Sequence, residues 1–294
     1  MQKIDEQRDF SKGTVKLSQG VVTFHEIGVG PTIVFVHGLL LNGSIWRRTI
    51  EMLATRYRCI VPELPFGGHH IPMDSTADLS PEGSARLVAD FLEILDLSDV
   101  TLVGNDFGGV VTMATAARFG ERVSRVVLGN CDALEVFPAK GFEFFSWLPR
   151  VPGAFWVLAK IMYHFSFVRN GPTSFGAFLK HPLPNEETRA WVEPLARLLG
   201  VRHDAGKMML GMDKELTMRL PSELKRSLIP TLLVWGSEDH LFTLDLAHRL
   251  KAAIGPQTSL VEVRDAKAFV MLDAPEAFAD AVDQFLREHR PWAV

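Results

Sequence analysis

The chain has 294 residues, 47% of them hydrophobic and 22% charged, with a formal net charge of −4. That length and apolar content allow one large α/β unit with a substantial core, and the slight acidity gives no reason to expect nucleic acid or an anionic membrane as partner. Cys59 and Cys131 lie in or beside apolar runs, so they are expected as small buried hydrophobes of a reducing compartment, not as a disulfide framework.

From Met1 to Ser11 the chain mixes charges and holds no apolar core of a leader, so no secretory signal is read. Its apolar stretches fall short of the ~20 residues that span a bilayer. A cytoplasmic protein, monomeric or homodimeric and without a membrane partner, is the expectation. Val21–Phe24 then reads as a strand, Thr32–Val36 (TIVFV) as a strand buried on both faces, and Arg58–Pro62 (RCIVP) as a third. Ser80-Pro81-Glu82 opens a helix with a serine cap, proline in the first turn and an acid behind it. Leu87, Val88, Phe91, Leu92 and Leu95 recur on its apolar face. Val100–Val103 (VTLV) is a strand, a helix follows from about Phe107 to Phe119, and Ser124–Leu128 (SRVVL) is the next strand.

From Ala133 to Leu228 that rhythm stops, leaving aromatics, prolines and helical patterns. It resumes with Pro230–Trp235 (PTLLVW), a helix near Leu244–Ala253, the strand Ser259–Val263 and a last helix from about Pro275 to Arg287. Alternating strands and helices imply right-handed crossovers and a mostly parallel sheet. The expected division is core over 1–132, helical lid over 133–228 and core again over 229–294, with the lid across the edge where such sheets bind ligands.

The chemistry-bearing motif is Gly104-Asn105-Asp106-Phe107-Gly108-Gly109, between a strand and a helix. This is the setting of a G-x-S-x-G nucleophile elbow, with Asp106 in the serine slot. Glycines permit the sharp turn, and the helix N-terminus favours negative charge. A carboxylate held there can attack carbon and form an ester. The plain alternative is that Asp106 only caps the helix. His37-Gly38 ends the strand TIVFV about seventy residues earlier. The backbone N–H groups of Leu39 and Phe107 are therefore the candidate oxyanion hole, with the His37 ring expected only to prop the loop. After PTLLVW comes Gly236-Ser237-Glu238-Asp239-His240, where Asp239 is the candidate triad acid and Glu238 the near alternative. Asp132, after SRVVL, is a substitute acid position, and Asn130 beside it can hydrogen-bond near the site.

VFVHG, VGNDFGG, LLVWGSEDH and the tail FVMLDAPEAFADAVDQFL resemble the α/β-hydrolase superfamily, more narrowly its aspartate-nucleophile branch of haloalkane dehalogenases and epoxide hydrolases. The resemblance covers nearly the whole chain outside the lid. It implies an eight-stranded, mostly parallel sheet flanked by helices, and a triad in the order nucleophile, acid, base. Three departures follow. The family's histidine base stands just before a phenylalanine; here that position is Ala268, in Asp265-Ala266-Lys267-Ala268-Phe269. Because nucleophile, acid and oxyanion loop are intact, a chain altered at this one position is favoured over a natural absence. Dehalogenases grip the halide with an indole after the nucleophile and a donor after HG; here those positions are Phe107 and Leu39, which donate nothing from their side chains. Epoxide hydrolases carry H-G-x-P and lid tyrosines; here Leu40 replaces the proline and Tyr163 alone lies in the lid, where ordinary packing is its competing role.

The lid is rich in aromatics, and Trp46, Phe145, Trp147, Trp156 and Tyr163 are the candidate pocket residues. No cluster of arginines is evident, so a neutral, hydrophobic small molecule is the expected substrate. No cofactor is implied, and no ligand spacing suggests a metal. The expected reaction is hydrolysis through an alkyl-enzyme ester on Asp106, stalled at the second step by Ala268. The rivals are an ester or lactone hydrolase or lyase with Asp106 as general base, and a non-catalytic protein that binds hydrophobic ligands.

Overall fold

The protein is described by a computed structural model over residues 10–289. Most of the amino-terminal stretch read as lacking a leader, Met1–Asp9, lies outside the described residues, as does Arg290–Val294. Eight strands form one sheet: β1 (Ser11–Leu17), β2 (Gly20–Ile27), β3 (Thr32–Val36), β4 (Arg58–Pro62), β5 (Val100–Gly104), β6 (Val123–Gly129), β7 (Thr231–Gly236) and β8 (Thr258–Val263). Their order is β1-β2-β4-β3-β5-β6-β7-β8. β1 and β2 pair antiparallel, β2 meets β4 antiparallel, and every later pairing is parallel. The interior strands β5 and β7 are buried along their whole length. Covered on both faces, they are continuously apolar in sequence. β1 was not evident in the sequence: it is an edge strand whose exposed Lys12, Thr14 and Lys16 dilute the apolar signal of Val15 and Leu17.

The helices are α1 (Arg47–Leu53), α2 (Pro81–Ile94), α3 (Phe107–Arg118), α4 (Ala154–His164), α5 (Ser166–Arg169), α6 (Asn185–Arg197), α7 (Leu199–Leu210), α8 (Lys214–Ser227), α9 (Leu244–Ile254), α10 (Val270–Asp273) and α11 (Pro275–Glu288). α2 starts as the sequence predicts: Ser80 Oγ accepts the Gly83 N–H at 3.1 Å and Pro81 occupies the first turn. α3 lies so close to the sheet that a Cβ on Gly108 would stand 2.4 Å from the carbonyl oxygen of Val36.

Between β6 and β7 the described chain adds no strand to the sheet. Asp204 on α7 ties this insertion to the core by accepting from Met73 N at 2.8 Å and meeting His69 Nε2 at 3.1 Å. Trp191 Nε1 on α6 donates to Ser44 Oγ at 2.9 Å. One boundary shifts: α8, which the expected limit at 228 places in the lid, packs against α3 and α9 in the helical layer of the core. Its buried Leu216, Leu220 and Leu224 face that layer. No helix among the described residues is long and apolar enough to cross a membrane.

Candidate active site

The turn from β5 into α3 places Asp106 at φ 55°, ψ −135°, backbone that a side chain rarely adopts. Such strain costs about 1–3 kcal/mol and persists only where neighbours enforce it. Here Asp106 N donates to Asn130 O at 2.9 Å, stitching the elbow to the end of β6. Asp106 precedes α3 yet makes no side-chain cap to it. Instead its Oδ2 accepts the Leu39 N–H at 2.9 Å, and the Phe107 N–H beside it also favours the charged carboxylate. Both expected oxyanion donors thus converge on this group. The approach is close enough that a Cβ on Gly38 would fall 2.3 Å from Asp106 Oδ2. Burial pushes the Asp106 carboxyl up to about 7, against the lowering by these two N–H groups, and Asp239 adds a small upward push.

His37 is buried with Nε2 accepting from Leu64 N at 3.0 Å and Nδ1 facing Gly38 O at 3.1 Å. Burial lowers its pKa to about 4, so it is a neutral prop for the loop, as its place after β3 suggests.

Asp239 follows β7 and is buried. Its Oδ1 accepts from Leu241 N at 2.8 Å and its Oδ2 from Asn130 Nδ2 at 2.9 Å. Burial raises it to about 6 despite these donors. The competing Glu238 instead points outward and pairs with Lys180. Asn130 Oδ1 also accepts from Gly236 N at 2.7 Å, so this one residue joins the elbow through its carbonyl, and the end of β7 and the acid loop through its side chain.

Ala268 is fully buried, and its carbonyl accepts from Asn105 Nδ2 at 2.8 Å. Among the described residues no histidine lines the cavity above Asp106. His181 pairs with Asp265 at 3.2 Å, while His164 and His203 line other depressions.

That cavity has a volume of about 190 Å³. Core residues Leu39, Asp106, Phe107 and Phe269 form its base, and Phe142, Phe145 and Phe178 of the insertion help cover it. Phe178 stacks on Phe269 with ring centroids 5.1 Å apart, and Phe144 on Phe145 at 4.4 Å. Asp106, Asp132, Thr173 and Ser174 supply its only hydrogen-bonding side chains among the described residues. Asp132 is buried there, and burial first and then the Asp106 charge hold its carboxyl well above the usual range.

Of the expected pocket residues, Phe145 lines the cavity and four others do not. Trp46 is buried beneath it, 5.3 Å from the Phe35 ring and 5.7 Å from Phe278, because its indole fills the gap between β3 and α11. Trp147 and Trp156 are each 49% exposed on the outer face of the insertion. Tyr163 is drawn away by two cations: Arg189 and Arg197 donate to its hydroxyl at 2.6 and 2.8 Å and lie over its ring. The absence of an arginine cluster in the sequence is likewise corrected, since folding gathers Arg169, Arg189 and Arg197 around Tyr163, although outside the cavity. Asn105 was missed, and so was the anchoring role of Asp273. Asp273 accepts from Lys180 N, His181 N and Lys267 N, each at 3.0 Å, pinning the insertion to the loop that carries Ala268. Phe269 N adds a bond to Phe178 O at 2.9 Å.

The sequence profile of the family described as alpha/beta hydrolase fold matches residues 31–275. Haloalkane dehalogenase 2 of Mycobacterium tuberculosis is 29% identical over 276 residues, covering 90% of this chain and 91% of that protein. The cis-3-alkyl-4-alkyloxetan-2-one decarboxylase of Shewanella oneidensis is 24% identical, covering 89% and 83%. Among solved structures, that of the epoxide hydrolase CorEH without ligand superposes with a TM-score of 0.80 at 17% identity, covering 96% of this chain and 100% of that one.

Proposed function

Because the chain belongs to the alpha/beta hydrolase fold family, we propose that it is an enzyme in which Asp106 attacks an electrophilic carbon of a neutral, hydrophobic small molecule and forms an alkyl-enzyme ester. One observation carries this reading: a buried carboxylate at the base of an aromatic cavity has one oxygen held by Leu39 N at 2.9 Å. On this reading its other oxygen attacks substrate. The N–H groups that hold the carboxylate are the ones that stabilise the oxyanion when the ester is later attacked by water. The dehalogenase relative supports displacement at an alkyl carbon as the reaction class.

In the second step a base activates water. On this reading Asp239, buried after β7, is the acid that orients such a base, and Ala268 is the position that would supply it. General-base assistance is typically worth ~10²–10⁴-fold, so the ester accumulates and this chain behaves as a covalent trap. Intact mass after incubation with apolar epoxides and alkyl bromides tests the reading, with Asp106→Asn as control. An adduct that requires Asp106 is the expected result; no adduct from any electrophile sinks it.

The rise of Asp106 to about 7 favours one second reading, in which it serves as general base on an ester or lactone. Turnover of such a substrate without any adduct would distinguish it.

A further inference from the structure

Asp132 is a buried carboxyl that the reading of Asp106 as nucleophile and Asp239 as acid leaves unused. It follows β6 by three residues, buried in the wall of the cavity whose base holds Asp106. The Asp106 N–H to Asn130 carbonyl bond fixes the segment carrying Asp132 to the elbow at 2.9 Å. Asp239, the carboxylate in the acid position after β7, is not among the cavity-lining residues and spends both oxygens on Leu241 N and Asn130 Nδ2. Two carboxyl groups therefore share one apolar cavity into which no cationic side chain reaches among the described residues. Like charges so placed in a low dielectric do not both ionise; one keeps its proton.

We propose that Asp132 is the proton donor of the ring-opening step and that the cavity is built for a strained cyclic ether such as an epoxide. This rests on Asp106 being the nucleophile. An Asp106 oxygen forms a bond to a ring carbon while the ring C–O bond breaks, its electron pair passing to the departing oxygen. The Asp132 carboxyl gives its proton to that oxygen. The product is a β-hydroxy ester on Asp106 and a carboxylate on Asp132, so charge and protons balance without a further reagent. Once the ester has neutralised Asp106, the new charge on Asp132 no longer faces another anion.

The polar content of the cavity selects this substrate class. A departing halide needs N–H donors and no proton, yet no lining side chain carries an N–H among the described residues. A departing alkoxide needs a proton, and a carboxyl is a far stronger acid than the Thr173 or Ser174 hydroxyls. Tyr163, the donor expected from sequence, is held outside the cavity by Arg189 and Arg197.

The test compares rates of Asp106 adduct formation, followed by intact mass, with an aryl epoxide and an alkyl bromide of similar size. In Asp132→Asn the epoxide-to-bromide ratio is expected to fall by about 10²–10⁴. Asp132→Glu, which keeps a carboxyl, is expected to regain most of it. A ratio that Asp132→Asn leaves at the parent value overturns the assignment of Asp132 alone. Failure of the parent chain to form an adduct with either electrophile overturns the nucleophile reading and this one with it.

Discussion

The Asp106 carboxylate accepts a 2.9 Å hydrogen bond from the backbone of Leu39, sixty-seven residues earlier in the chain. Two loops at the ends of the neighbouring parallel strands β3 and β5 are thereby locked around one oxygen. Several consequences can be measured.

Asp106→Asn should abolish the adduct, and in the parent chain alkylation should rise with pH through about 7 as the carboxylate forms. Stability should show the opposite trend. A carboxyl raised from 3.8 unfolded to about 7 folded contributes stability that is fully present below pH 4 and lost as pH climbs through 7. Asparagine has no such loss. Asp106→Asn should therefore melt close to the parent near pH 4 and above it at pH 8.5, by up to a few kcal/mol in ΔG. Equal melting at both pH values would contradict the raised pKa.

Ala268→His should speed loss of a preformed ester by about 10²–10⁴-fold, read as decay of the adduct mass. Asn105 holds the backbone there at 2.8 Å, so the new ring starts from a fixed Cα. An ester that persists unchanged in this variant argues against 268 as the base position.

Tyr163→Phe removes a hydroxyl bonded only to Arg189 and Arg197 among the described residues. Epoxide opening should stay within about twofold of the parent, whereas a lid donor would lose much of the typical ~10²-fold or more.

Asp273→Ala removes the acceptor of three backbone N–H groups. A loss of about 1.5–3 kcal/mol in urea unfolding is expected. Faster amide exchange at Lys180, His181 and Lys267 should accompany it. Unchanged exchange would show that the insertion is pinned elsewhere.

The parts of this arrangement legible in sequence were those written in local pattern. Apolar β-branched runs announced β3, β5 and β7, and the glycines around Asp106 announced the elbow. β1 escaped because an edge strand exposes alternate residues, and Lys12 and Lys16 read as loop. Asp132 was weighed only as a spare triad acid, since nothing local says that a residue beyond β6 will line the same cavity as Asp106. The tryptophans misled for a related reason. An aromatic stripe shows that an element has an apolar face, not which neighbour that face meets; Trp46 fills the core while Trp147 and Trp156 look outward. The arginines around Tyr163 come from α5 and α6, and only folding brings them together.

The fit between Gly38 and Asp106 offers a ruler for alignment. A methyl at Gly38 cannot coexist with the carboxylate where it now sits, since the two would stand 2.3 Å apart. Gly38→Ala thus keeps every reactive atom and alters only where one of them points. Its residual rate, set beside that of Asp106→Asn, separates what the chain gains from owning a nucleophile from what it gains by aiming it.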